Sequence, residues 1–162
     1  MTTLSKNPIT PKTTAAAKDA IALLKADHGT VSGLFADYEK SNSSNKKKAL
    51  VAEICSELSM HAQIEEEIFY PAIRAALKDK LLIPEATVEH GGIKDLITQL
   101  EGVEPDGAIY DAKVKVLSEY VEHHVKEEQN EMFPKVKASS LDLVELGARM
   151  AARKADLLAA HI

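Results

Sequence analysis

One phrase is written twice in this chain. Residues 61–71 read HAQIEEEIFYP and residues 124–134 read HVKEEQNEMFP. Each opens on His, places Glu four residues on and reaches Pro at the tenth. A shorter pair repeats at nearly the same offset, DHGTV at 27–31 and EHGGI at 89–93. A doubled pattern at this spacing means two copies of one helical hairpin, each a His helix followed by a His-x-x-x-Glu helix. Four such helices in series, joined by short connections, pack as antiparallel neighbours.

The periodicity supports that reading along the chain. Apolar residues recur at three- and four-residue spacing, as on a helix with one buried face. Five helices are expected, over about 14–39, 46–78, 84–103, 108–137 and 141–160. SNSSN at 41–45 and EPDG at 104–107 supply turn and cap residues between them. Pro71 falls inside the second helix, where its missing N–H predicts a bend. The fold class expected is all-α, an up-down antiparallel four-helix bundle over 14–138. Residues 1–13 form a tail, and 139–162 a C-terminal helical appendage. The last helix interleaves Leu143, Leu146, Met150 and Leu157 with Arg149, Arg153 and Lys154, a face fit to cover one end of the bundle or to join a monomer into a homodimer.

Each expected core seam is interrupted by polar groups. The first runs Ile21, Leu24, His28, Val31, Phe35, Tyr38, and the second Ile54, Leu58, His61, Glu65, Ile68. The third runs Ile83, Ala86, His90, Ile93, Ile97, Leu100, and the fourth Tyr110, Val114, Leu117, Val121, His124, Glu128. His and Glu one turn apart share a helix face. A carboxylate in an apolar seam costs several kcal/mol unless it is paired, protonated or bound to a cation. No Lys or Arg lies on any seam to pair with it. Four imidazoles and two carboxylates from four helices instead make a coordination shell. Six ligands exceed one tetrahedral zinc site and suit two ions, each held by two His and bridged by Glu65 and Glu128. Ligands of this type without thiolate fit iron, with zinc or manganese as alternatives.

Other candidates are weighed against this set. Tyr120 and Glu57 stand one turn before His124 and His61 and are candidates for an extra ligand or for support of one. Glu66, Glu67, Glu127 and Glu131 read as a solvated face. His123 is about 100° around the helix from His124 and reads as flanking. His161 is terminal, and Cys55 reads as a small residue at the core edge.

Composition removes other classes. Net charge is −5 at pH 7, which argues against nucleic acid or an anionic membrane as partner. No apolar run approaches the roughly 20 residues of a membrane span, and the first residues lack a signal peptide's apolar stretch. The single cysteine suits a reducing cytoplasm.

The motifs DH (27–28), HAQIEEEIFYP, EH (89–90) and HVKEEQNEMFP resemble the hemerythrin-like family of HHE cation-binding domains, over about residues 18–137. The resemblance implies a four-helix bundle around a non-haem di-iron centre, oxo- or hydroxo-bridged, with His28, His61, Glu65, His90, His124 and Glu128 as ligands. It implies small ligands: O2, H2O2 or NO. The pattern departs from that of the oxygen carriers, which place a second His one turn after the position of His90, where this chain has Lys94. They also place an Asp five residues after the last His, where this chain has Gln129. With one imidazole fewer, handling of an oxidant, by catalase- or peroxidase-like turnover or reaction with NO, is expected over O2 transport. The alternatives are an iron- or oxygen-sensing or storage module, and a bundle merely stapled by metal.

Overall fold

The computed structural model describes residues 19–160, so the expected tail and His161 lie outside the described residues. Every element among the described residues is helical. Helix α1, Ala20–Lys40, starts where Asp19 caps it, its carboxylate accepting from Ala22 N–H at 2.8 Å. Three residues later Ser43 caps α2, Ser44–Ile64, by accepting from Lys46 N–H. The same rod continues through a π-helical turn, Glu65–Phe69, into α3, Tyr70–Ile73. It therefore ends about five residues before the expected Lys78. A turn held by Asp79, which accepts from Leu81 N–H, leads into α4, Leu82–Leu100. Gly107, at φ 119°, precedes α5, Ala108–Glu127, in a backbone conformation that strains other residues. This rod also passes through a π turn, Glu128–Met132, into α6, Phe133–Lys137. Helix α7, Leu143–Ala160, folds back onto α1, α2 and the first π turn.

One π turn precedes Pro71 and the other Pro134. In a regular helix the ring of Pro71 would press on the carbonyl of Glu67, and that of Pro134 on Asn130. Each rod instead widens by one residue just before its proline. The Glu65 carbonyl accepts from Tyr70 N–H, and the Glu128 carbonyl from Phe133 N–H, both five residues on. The extra residue turns everything beyond it by about 100°. The second seam accordingly does not continue through Ile68, which is half-buried. Phe69, Tyr70 and Ile73 go inside instead.

The rest of the seams are inside as the spacing predicts, with only Phe35 half-buried. The core has two parts. One, at the proline end, joins Leu24, Phe69, Ile73, Phe133 and Val136 with Leu146 and Met150 of α7. The other, at the far end, joins Tyr38, Ile54, Cys55, Ile97 and Leu117. The polar residues of the seams lie between them.

Candidate metal centre

The structure brings all six seam residues together as two groups of three. His28 and His61 stand with Glu128, and His90 and His124 stand with Glu65, the ligand atoms of each group lying within 4.8 Å of one another. The carboxylates are crossed, since Glu65 rides on the rod of His61 and Glu128 on that of His124. All six residues are buried, the two glutamates almost completely.

The distances show how each carboxylate spans both groups. Glu128 places Oε1 3.3 Å from His28 Nε2 and Oε2 3.2 Å from His124 Nε2. Glu65 Oε1 lies 3.0 Å from His61 Nε2, 3.2 Å from His90 Nε2 and 3.9 Å from His124 Nε2. The ring pairs sit edge to face, His28 with His61 at 4.9 Å and His90 with His124 at 4.7 Å. Several buried atoms here have no hydrogen-bond partner: His28 Nε2, His61 Nε2, both oxygens of Glu65 and Glu128 Oε1. Leaving buried polar atoms unmet is costly, and such a group calls for a partner. Imidazole Nε2 and carboxylate oxygen at these spacings suit one cation in each triad.

A second layer aims the imidazoles. His61 Nδ1 lies 3.0 Å from Asp27 Oδ2, and His124 Nδ1 lies 3.0 Å from Glu89 Oε1. In each hairpin the acid just before the first His thus supports the second His. His28 Nδ1 meets Gln129 Oε1 at 2.8 Å. His90 Nδ1 has no hydrogen-bond partner; the nearest carboxylate oxygen, Glu66 Oε1, is 3.8 Å away. An acceptor on Nδ1 holds the ring with Nε2 inward, so that the lone pair exposed when Nε2 loses its proton faces the cluster.

Tyr70 enters from α3. Its hydroxyl donates to Glu128 Oε2 at 2.8 Å and lies 3.4 Å from His90 Nε2. Burial and the nearby Glu65 and Glu128 carboxylates push this phenol well above 10, so it stays protonated and acts as a donor.

Charge dominates the cluster. Burial works against a protonated His61, but Glu65, Asp27 and Glu128 outweigh it and hold the imidazole up to about 10. His124 is likewise held up to about 11 by Glu128 and Glu65. Burial also opposes ionised Glu65, yet His61, His124 and His90 keep its carboxyl well below 4.5. For Asp27, hydrogen bonds from His61 and Lys154 overcome burial and keep the carboxyl below 3.8. Carboxylates this well maintained form a pocket that demands positive charge, whether protons or a metal.

Several expectations need correction. Tyr120 is 48% exposed, its ring lying over Gly92 rather than in the cluster; the tyrosine that reaches the cluster is Tyr70. Glu57 is half-buried and is in neither triad. Glu67 and Glu131 do face solvent, but Glu66 and Glu127 are only half exposed. Glu66 accepts from Lys94 Nζ at 2.7 Å on both oxygens. His123, exposed, stands 3.2 Å from Glu89 Oε2 and 3.4 Å from Glu127 Oε1, forming a surface group that flanks the second triad. Cys55 is buried in the far core, and burial pushes its thiol up to about 11. The signal for Asp27 and Glu89 was present in the repeated acid-His pairs. Tyr70 was hidden by the one-residue shift of the π turn.

Known proteins resemble this chain in sequence and in fold. The chain is 27% identical over 115 residues, 71% of its length, to a DNA nickase of Nostoc sp., and spans only 32% of that relative. It is 30% identical over 139 residues to the uncharacterized protein Rv2633c of Mycobacterium tuberculosis, covering 83% of this chain and 84% of that one. A crystal structure of a hemerythrin HHE cation binding domain-containing protein, the Rv2633c homolog from Mycobacterium kansasii, superposes with a TM-score of 0.73 at 32% identity, covering 86% of this chain and 87% of that chain. The family model described as the hemerythrin HHE cation binding domain matches residues 19–136, the span that carries all six inward-facing residues and both π turns. The chain belongs to the hemerythrin HHE cation-binding domain family.

Proposed function

We propose that this chain holds two non-haem iron ions and uses them on a small oxidant, peroxide or nitric oxide before dioxygen. The observation that carries the reading is the pair of crossed triads, in which each carboxylate has an oxygen near both groups. His28, His61 and Glu128 would hold one ion, and His90, His124 and Glu65 the other. The iron pair would supply one- and two-electron redox chemistry. The protein's part is to bind, to orient and to exclude water.

The surroundings favour a very small ligand. On the far-core side of the four histidines is a cavity of about 30 Å³, walled by Val31, Leu58, Ala62, Ile93, Val121 and Val125. One water needs about 10–15 Å³ on this measure, so the space suits a molecule of two or three heavy atoms. Its walls offer an organic substrate no polar partner besides the cluster itself. The Tyr70 hydroxyl, donating to Glu128, is the one uncharged O–H at the centre. With metal bound, it would hold Glu128 in its spanning orientation and be a proton donor beside the site. The net charge of −5 supports such small ligands over nucleic acid, so the DNA chemistry in the Nostoc relative's name is not extended to this chain.

The test is to load the metal-free chain anaerobically with ferrous iron and then add peroxide. Two iron per chain, an absorption change in the near ultraviolet and catalytic peroxide consumption are expected. Uptake below one iron per chain would sink the di-iron reading. Full uptake with no response to peroxide, NO or O2 would leave only a metal staple.

A further inference from the structure

Helix α7 lies outside the residues matched by the family model, yet one of its side chains reaches the cluster. Lys154 Nζ donates to Asp27 Oδ1, while Asp27 Oδ2 meets His61 Nδ1. Asp27 is buried and Lys154 mostly so. Behind the other triad, the matching acid is Glu89, and no lysine or arginine among the described residues pairs with it. Its other oxygen faces His123, with Glu127 beside it. The repeat also sets neutral Gln129 behind His28 against charged Glu66 behind His90, with Lys94 on Glu66.

The two triads therefore sit in different fields. Glu65 and Glu128 reach both groups and so do not distinguish them. Beyond them, Asp27 stands behind His61 with Lys154 on it, which leaves no net charge. Behind His90 and His124 stand Glu66, Glu89 and Glu127, with Lys94 the one fixed cation paired with them among the described residues. Carboxylates exceed cations there by two, or by one if His123 is protonated. A divalent cation prefers the more negative group.

Resting on the two-ion reading above, we infer that Lys154 is a positioning residue that ranks the two subsites through Asp27, so that the Glu65/His90/His124 triad takes the first cation and the His28/His61/Glu128 triad the second. Lys154 lowers the attraction of the His28/His61 group by compensating Asp27, at no cost to the aim of His61. The chain thus loads in a fixed order.

The experiment is an anaerobic calorimetric titration of the metal-free full chain with ferrous iron. Wild type should show two resolved steps. His124→Ala should abolish the tight step, and His28→Ala the weak one. Lys154→Gln, which keeps a donor but removes the charge, should tighten the second step about tenfold and leave the first unchanged. Lys154→Arg should restore the wild-type titration. Arg153→Gln removes the neighbouring ion pair to Glu67 and should leave both steps alone, although it weakens the same helix. A single step in wild type, a second step unmoved or weakened by Lys154→Gln, or the reverse pattern in the two histidine variants would overturn the ranking alone. Uptake below one ion per chain would overturn the two-ion reading and the ranking with it.

Discussion

At the residue scale the centre works through pairs of roles. Nε2 of each histidine faces inward, and three of the four Nδ1 atoms are held by Asp27, Glu89 or Gln129. Removing an inward-facing group should therefore cost metal rather than fold. His61→Ala and Glu128→Ala should each lower iron content by at least half, while His123→Ala leaves it near wild type, as read by elemental analysis of proteins reconstituted in parallel. An equal loss in His123→Ala would mean that the surface group, not the interior, holds the metal. Much of this scale could be read from the chain itself. His28, His90 and the two His-x-x-x-Glu pairs interrupt apolar seams, where a buried carboxylate is tolerable only when paired, protonated or bound to a cation. The supporting residues were harder. Asp27 and Glu89 are the polar neighbours of His28 and His90, and nothing in a helical period says that each serves the histidine of the next helix.

At the element scale the two π turns and α7 decide what the seams deliver. A helical period assumes 3.6 residues per turn throughout, so one extra residue after Glu65 breaks the extrapolation. Tyr70 then turns inward to Glu128, and Tyr120, in a regular stretch of α5, stays at the surface. Prolines six residues after each glutamate marked the places but not the manner of relief. The amphipathic face of α7 was legible, whereas its partner was not, because a stripe says which side is covered and not what covers it. Met150 is fully buried in the proline-end core, on a helix that packs against α1 and the first π turn. Truncating it should destabilise the metal-free protein by about 2–5 kcal/mol. Leu158, 47% exposed on the same helix, should cost about 0.5 kcal/mol or less when truncated. Chemical denaturation followed by circular dichroism measures both. Equal small losses would mean that α7 contributes no core.

At the scale of the whole molecule, protons and metal compete for one charged layer between two apolar clusters. His61 and His124 titrate near 10 and 11 in the metal-free fold, well above the ordinary 6.5. A raised value means that the fold favours the protonated form. This stabilisation is complete below about 6.5 and is lost as pH rises through 10 to 11. A cation on Nε2 must displace those protons, so its net gain grows as pH rises and they become easier to remove. The rise in melting temperature on adding saturating zinc, a redox-silent probe, should be larger at pH 8 than at pH 6. A rise that is equal or smaller at pH 8 would show that the histidines are not the groups displaced. Two hairpins of similar sequence suggest two independent sites, but the crossed carboxylates forbid that. Each triad takes both histidines from one hairpin and its glutamate from the other. Neither hairpin alone therefore holds a complete triad, and the link from α3 to α4 makes the association of the two a matter of chain connection rather than of concentration.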